Sequence, residues 1–297
     1  MKKFALTILQ ILGYIFLYLV ITIALMGLTK SFIGDWENGN PIHEIFFEGF
    51  FTILGIALTN LIFFWISTSR ETFQGWPKLK PSLSWFGRGI LIGVGMSSLM
   101  LLLTLALGGG RFVFEDEGFH AYLTYMLPLG GALLIAALSE EWLFRGYPLT
   151  KLASVAGRGW ANILMALLFA VAHLSSTGSS PMSTTNIVLG SLVVGALRFT
   201  PGGIPVAWGF HFAWNYVQVL FGANLSLENI HVPGVTFSAS GDALYSGGAF
   251  GPEAGIGATI ATVFVLILIF NYFHRQGAKD LPLPFGRSQI SEARSVQ

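Results

Sequence analysis

Apolar residues occur in long runs along this chain, and short polar segments separate one run from the next. A helix needs about 20 apolar residues to cross the hydrocarbon core of a bilayer. By that criterion the pattern predicts eight membrane-spanning helices, at residues 4–28, 45–68, 89–107, 123–147, 160–176, 185–198, 203–222 and 255–273. The predicted fold class is therefore all-α, a polytopic transmembrane helical bundle of about eight spans.

The first apolar run follows Lys2 and Lys3 and extends to about Leu28. It is longer than the roughly 7–15 apolar residues of a signal peptide, and no small-residue cleavage site follows it. We interpret it as a transmembrane helix that stays attached to the chain. At the end of the fourth span, Pro148 predicts a bend, after which the helix continues as an amphipathic segment towards Gly157.

Lysine and arginine residues are distributed unevenly over the segments that connect the predicted spans. An even number of spans places both termini on the same side of the membrane. Of the 16 Lys and Arg residues, only Lys30 and Arg111 then fall on the opposite side. Because cytoplasmic segments of membrane proteins carry an excess of positive charge, we predict that both termini are cytoplasmic.

Two segments lack the periodicity of a helix. Residues 223–254 are rich in Gly and Ser, and we expect them to form a surface lid or a flexible loop on the opposite side. The C-terminal end contains Pro282 and Pro284 followed by polar residues, a composition typical of disorder. The predicted organisation is a transmembrane helical domain at residues 1–275 and a disordered cytoplasmic tail at residues 276–297.

The composition agrees with a membrane protein and narrows its function. Of the 297 residues, 53% are hydrophobic and 10% are charged, whereas a soluble domain has about 25% charged residues. A net charge of +1 gives no indication of nucleic-acid binding, and the absence of cysteine excludes thiolate catalysis and cysteine-ligated metals. We therefore expect an integral, multi-pass membrane protein embedded in the lipid bilayer, and the lean form of the chain favours a bacterial plasma membrane.

Ionisable side chains inside predicted spans are the candidates for function, because a charge in the hydrocarbon core is costly. Together with two neighbouring residues, Phe169 and Asn215, they form three clusters. These are Glu140, Glu141 and Arg145 on span four, Phe169 and His173 on span five, and His211 and Asn215 on span seven. The i,i+4 spacing of Glu141 and Arg145 favours an ion pair, which leaves Glu140 on a different face of the helix. His211 and Asn215 share one face, because they too are four residues apart.

The three clusters are predicted to lie at a similar depth. Glu140 precedes the turn near Gly157 by about as many residues as His173 follows it, and antiparallel helices then place the two at one level. His211 lies about eight residues into its span, or roughly 12 Å from the cytoplasmic side. We therefore expect all three clusters to meet in the cytoplasmic half of the bundle.

Structural roles are the alternative for each residue taken singly. Glu141 with Arg145 would be a structural ion pair, His173 a hydrogen-bonded core histidine, and Phe169 a packing residue that shapes the pocket. His211 and Asn215 would be interhelical hydrogen-bonding groups. The other polar residues of this kind are interpreted as interfacial side chains or helix–helix contacts: His43, His120, His231, His274, Asn60, Asn162 and Asn186.

The chemistry that these residue types favour is hydrolysis by activated water. A carboxylate in a low-dielectric site can act as a general base beside a histidine, and a second histidine with an asparagine can donate hydrogen bonds to an oxyanion. Glu140, His173 and His211 could instead hold a catalytic zinc ion. Because the His-Glu-x-x-His motif is absent, the metal-free mechanism without a cofactor is favoured, and zinc remains possible.

A family resemblance rests on three motifs: Glu140-Glu141-x-x-x-Arg145, Phe169-x-x-x-His173 and His211-x-x-x-Asn215. In this order they resemble the motifs of the CPBP intramembrane proteases, which comprise type II CAAX prenyl endopeptidases and the bacteriocin-processing, or Abi, group. The resemblance covers about residues 120–225. It implies that Glu140 activates water with His173, while His211 and Asn215 stabilise the oxyanion.

The same resemblance implies that Glu141 and Arg145 hold the geometry of the site. The expected function is that of an intramembrane endopeptidase with a peptide or small membrane-protein substrate. A non-catalytic scaffold or immunity protein that keeps the fold is the first alternative, although it would not need all four site residues. A proton-coupled transporter is the second, and the lack of inverted repeats disfavours it.

Overall fold

A computed structural model describes residues 2–34, 39–67, 76–116, 118–225 and 230–277. The helices are α1 (Lys2–Ile33), α2 (Pro41–Ser67), α3 (Leu79–Ala106), α4 (Gly118–Arg145), α5 (Tyr147–Ala156), α6 (Arg158–Ala172), α7 (Pro181–Arg198), α8 (Gly203–Leu220), α9 (Ala243–Ser246) and α10 (Ile256–Arg275). The strands are β1 (Gly110–Phe114) and β2 (Val235–Ala239). Short 3-10 turns occur at Gly248–Phe250 and Pro252–Ala254.

The prediction of an all-α membrane bundle is confirmed, because a helix lies at each of the eight predicted spans. Within the described residues, five helical segments are long and apolar enough to cross a membrane. These are α1, α2, α3, the continuous α4–α5 segment and α10. The helices α6, α7 and α8 are shorter or more polar, and α6 and α8 carry three of the seven candidate residues, namely Phe169, His211 and Asn215.

Helix α8 lies at the centre of the bundle because glycines let its neighbours approach closely. A Cβ at Gly89 of α3 would overlap the carbonyl oxygen of Val206, and one at Gly93 would overlap that of Phe210. On its other side α8 runs antiparallel to α4, where Trp208 Nε1 donates to the carbonyl oxygen of Leu134 at 2.8 Å. Backbones held this closely fix the positions of the side chains that α8 directs inwards.

Asparagines join neighbouring helices, as the sequence predicted. Asn60 of α2 accepts a hydrogen bond from Tyr14 of α1 at 2.9 Å. Asn162 of α6 donates to the carbonyl oxygen of Leu192 on α7 at 3.0 Å. Each side chain satisfies a polar group that lies inside the apolar bundle.

The bend predicted near Pro148 occurs at Gly146, between α4 and α5. No Cβ fits at Gly146, because it would overlap the carbonyl oxygen of Trp142. Pro148 then occupies the first turn of α5, where its missing N–H breaks no helical hydrogen bond. The fourth span therefore ends at Arg145, two residues earlier than the sequence indicated.

The segment 223–254 is more structured than expected from its Gly and Ser content. Its strand β2 pairs with β1 in antiparallel register from Gly110 opposite Ala239 to Phe114 opposite Val235. We call the end of the bundle that carries this pair the sheet end, and the end that carries Lys2 the terminal end. The interpretation as a flexible loop missed these two strands, because five-residue strands give a weak pattern; residues 226–229 lie outside the described residues.

The predicted disordered tail at residues 276–297 lies outside the described residues from residue 278 onwards. Its boundary with the membrane domain, like the cytoplasmic location of both termini, stays a prediction.

Candidate functional site

A cavity of about 80 Å³ opens between α4, α6, α7, α8 and α10. All seven residues singled out from the sequence line it: Glu140, Glu141, Arg145, Phe169, His173, His211 and Asn215. The three polar clusters are therefore brought together by the fold.

The ion pair predicted between Glu141 and Arg145 is present and buried. Arg145 Nη1 lies 3.2 Å from Glu141 Oε1, and the two residues are 1% and 0% exposed. Arg145 Nη2 also donates to Ser191 Oγ of α7 at 2.7 Å, and the guanidinium carbon lies 4.6 Å from the centre of the Phe169 ring. Because Arg145 contacts three helices, it connects α4 to both α6 and α7.

His211 lies between the two glutamates. Its Nδ1 is 2.8 Å from Glu141 Oε1, the same oxygen that Arg145 approaches. A carboxylate paired with an arginine is ionised and can only accept, so Nδ1 carries a hydrogen. The other ring nitrogen, Nε2, faces Glu140 Oε2 at 3.9 Å.

Glu140 differs from Glu141 in its partners. Glu141 Oε1 faces both Arg145 and His211, whereas Glu140 has no arginine partner among the described residues; the Oε2 atoms of both glutamates are buried and accept no hydrogen bond from those residues. The sequence predicted that the two glutamates lie on different faces of α4, and in the structure they approach different nitrogen atoms of His211. They nevertheless converge on one imidazole ring, because His211 presents Nδ1 to Glu141 and Nε2 to Glu140.

His173 lies directly after the last residue of α6. Its Nδ1 is 2.8 Å from the carbonyl oxygen of Phe169, which can only accept, so Nδ1 is the protonated nitrogen. In the neutral ring this leaves Nε2 as an acceptor. The Phe169 ring stands 4.4 Å from the centre of the His173 ring and 6.2 Å from that of His211, and so lies between the two histidines. Asn215 follows His211 by one helical turn along the same cavity wall.

Residues 121–217 match the family model described as type II CAAX prenyl endopeptidase Rce1-like. Over these residues the chain is similar to the CAAX protease family. No curated protein matches it. The matched residues, about a third of the chain, run from α4 to α8 and therefore include all three clusters. This similarity supports a peptidase, integral to the membrane, that acts on a peptide or protein substrate there.

Several residues that line the candidate site were not identified from the sequence. They are Ser191 and Asn186 on α7, Trp214 on α8 and Glu253 in the turn before α10. Ser191 was detectable in principle, as a polar residue within an apolar span. Glu253 was not, because nothing in the Gly- and Ser-rich segment indicates that it reaches into the bundle.

The zinc alternative requires three ligands that converge on one point. Among the described residues, no group of three His, Asp or Glu side chains has an arrangement that could hold a metal ion. Glu141 Oε1 and His211 Nδ1 are engaged with each other and with Arg145, and Glu140 and His211 face each other 3.9 Å apart. In this arrangement Glu140, His173 and His211 do not converge as three metal ligands.

Proposed function

We propose that this protein is an intramembrane endopeptidase in which Glu140 activates a water molecule for attack on a peptide bond. The observation that carries the proposal is the contrast between the two adjacent glutamates. Glu141 is paired with Arg145 at 3.2 Å, whereas Glu140 has no arginine partner among the described residues and faces His211 across the cavity. A carboxylate in that state is a competent general base.

The first step places water between Glu140 and His173. Glu140 removes a proton from the water, and the neutral Nε2 of His173 accepts the second water hydrogen and so orients the oxygen. The water oxygen then attacks the carbonyl carbon of the scissile bond. Holding water and substrate in one cavity supplies the orientation that such a reaction needs.

The second step stabilises the oxyanion that forms on the carbonyl oxygen. In its imidazolium form, His211 keeps one N–H on Glu141 and directs the other, at Nε2, into the cavity. Asn215 supplies an amide N–H from the next turn of α8. Two donors fixed in advance on one helix stabilise the developing charge more strongly than reorienting water does.

The last step breaks the C–N bond. Glu140, now a carboxylic acid, returns its proton to the departing nitrogen, so that the products are a carboxylic acid and an amine, which become a carboxylate and an ammonium ion when the acid's proton passes to the amine. Glu141 and Arg145 do not exchange protons in this scheme. Glu141 holds His211 through Nδ1, and Arg145 holds Glu141 while it donates to Ser191 Oγ.

The test is cleavage of a fluorogenic peptide library, prenylated and unprenylated, by protein purified in detergent. Glu140→Gln should lower kcat by about 10²–10⁴-fold, the usual contribution of a general base. Glu115→Gln is the matched control, because Glu115 lies at the sheet end and accepts only from Thr236 within the described residues. Its activity should equal that of the unchanged protein.

Each outcome points to a different function. Activity that disappears in Glu140→Gln and persists with a chelator supports the glutamate mechanism. Activity that a chelator abolishes and zinc restores would replace it by a metal mechanism. If the folded protein cleaves no peptide, the result would favour the alternatives of a non-catalytic scaffold or a transporter.

A further inference from the structure

Ser191 of α7 lies on the wall of the site cavity, where Arg145 fixes its hydroxyl group. Arg145 Nη2 donates to Ser191 Oγ at 2.7 Å, and Ser191 is only 4% exposed. An arginine side chain has N–H donors and no acceptor, so Ser191 Oγ is the acceptor of this bond. The hydrogen of the serine hydroxyl is therefore left for a second partner.

That hydrogen is not accepted by any residue that the structure describes. Within this part of the chain, the Ser191 side chain makes no hydrogen bond other than the one from Arg145. Ser139 of α4 is equally buried and differs, because its hydroxyl donates to the carbonyl oxygen of Ala136 in its own helix at 2.8 Å. A buried donor without an acceptor is destabilising, and an oxygen atom that enters the cavity beside Ser191 would satisfy it.

The bond from Arg145 also makes the Ser191 hydroxyl a stronger donor. Successive hydrogen bonds polarise one another, and here the first donor carries a positive charge. The acceptor that fits best is a neutral carbonyl oxygen. A carboxylate of the ligand fits less well, because the carboxylates of Glu140 and Glu141 line the same cavity and would repel it.

Ser191 is connected to the reacting groups by a short path of three contacts. These join Ser191 to Arg145 at 2.7 Å, Arg145 to Glu141 at 3.2 Å, and Glu141 to His211 at 2.8 Å. An extended peptide covers about 3.3 Å per residue. A carbonyl group bound at Ser191 therefore belongs to a residue within about three positions of the bond next to His211.

We propose that the Ser191 hydroxyl binds the substrate by donating a hydrogen bond to one main-chain carbonyl oxygen of the peptide, within about three residues of the scissile bond. The proposal rests on the proposed function in that the substrate is a peptide whose scissile bond lies beside Glu140. Ser191 takes no part in proton transfer. Because every residue of a peptide has a main-chain carbonyl group, Ser191 fixes the register of the bound peptide without selecting a side chain.

The experiment compares a fluorescent peptide with analogues in which one main-chain carbonyl oxygen at a time is replaced by sulfur, a weaker acceptor. Binding to Glu140→Gln protein is measured by anisotropy, so that turnover does not interfere. The second protein also carries Ser191→Ala, which removes the hydroxyl. Ser139→Ala is the matched control, because the Ser139 hydroxyl is buried to the same extent and is satisfied by Ala136.

One thioamide outside the scissile residue should bind about five- to tenfold more weakly than the parent peptide, the scale of one hydrogen bond. Ser191→Ala should abolish that difference, and Ser139→Ala should preserve it. The proposal would be overturned if no such position exists, or if Ser191→Ala weakens every analogue and the parent by the same factor, as a purely structural role would. Ser191→Cys, of similar size but with a weak S–H donor, should reduce the difference to about twofold or less and decides the matter if Ser191→Ala does not fold.

Cleavage by the unchanged protein separates this proposal from the proposed function. Cleavage that is insensitive to thioamides outside the scissile residue would leave the peptidase intact and remove the role of Ser191. A thioamide effect on binding that depends on Ser191, without cleavage of any peptide, would retain the carbonyl-binding role and remove the proposed chemistry.

Discussion

The buried pair of Glu141 and Arg145 allows stability and catalysis to be separated by mutation. Arg145→Met alone leaves the Glu141 carboxylate, which is 0% exposed, with only His211 as a partner, and it also removes the bond to Ser191. Removing one member of a buried ion pair destabilises a protein by about 3–5 kcal/mol. Replacing both members with apolar residues of similar volume is close to neutral, because no buried charge remains.

The expected result is therefore a partial recovery. Glu141→Met and Arg145→Met should each lower the free energy of unfolding by about 3–5 kcal/mol, and the double variant should regain most of that loss. Activity should not return with stability, because the double variant has no carboxylate for His211 Nδ1. We expect it to stay at least about 10²-fold below the unchanged protein, the scale of one lost oxyanion donor.

Unfolding in detergent followed by circular dichroism gives the stabilities, and peptide cleavage gives the activities. Arg88→Met is the control, because Arg88 is exposed and lies over Trp85 at 4.4 Å; it should cost at most about 1 kcal/mol. A double variant as unstable as Arg145→Met would refute the reasoning on buried charge. A double variant that is both stable and active would refute the role of Glu141 in holding His211.

Three further predictions follow from glycines and from the lack of cysteine. Gly190→Leu should raise KM, because Gly190 lines the cavity and a larger side chain there would narrow it. Gly131→Leu is the control and should leave KM unchanged, because Gly131 does not line the cavity. A Cβ at either position meets no atom within 4 Å, so both variants should fold. Gly89→Ala should destabilise the bundle by about 1–3 kcal/mol, because its Cβ would overlap the carbonyl oxygen of Val206. Gly95→Ala on the same helix should stabilise the bundle by about 0.5–1 kcal/mol, because its Cβ would enter open space. Thermal unfolding measures both changes. Because the chain has no cysteine, a single introduced cysteine can be labelled specifically. A membrane-impermeant maleimide added to intact cells should label Ser240→Cys at the sheet end and should not label Ser154→Cys in α5. The reverse pattern would show that the predicted topology is inverted.

The polar groups inside spans made most of the candidate site predictable. Glu140, His173 and His211 stand out because each is costly in an apolar helix, and their spacing indicated which of them share a face. The sequence could not show that Glu140 and Glu141 approach opposite nitrogens of one imidazole. That arrangement depends on how α4 and α8 pack, where Gly130 lies against Tyr216 and Trp208 Nε1 donates to the carbonyl oxygen of Leu134.

Residues outside the regular spans were harder to predict. Strand β2 has no strong alternation, and its partner β1 lies more than a hundred residues away in the chain, so that the pairing is a tertiary effect. Glu253 was missed for the same reason, because its place in the cavity is also a tertiary effect. Its direction depends on the anchor that Asn186 provides across the bundle, and a sequence pattern that describes one helix at a time does not contain it.

The position of the site at the end of α4 has a physical reason of its own. The last carbonyl groups of a helix lack partners within the helix, and in an apolar bundle they require other donors. The bend at Gly146 ends α4 directly after Arg145, and Arg198 Nε donates to the carbonyl oxygen of Arg145 at 3.0 Å. Two arginines thus stand at the negative end of the α4 dipole, which stabilises them there. The bend therefore places Arg145 at the end of α4, where its positive charge is stabilised and pairs with Glu141. The neighbouring Glu140 has no such pairing among the described residues and faces His211 in the cavity.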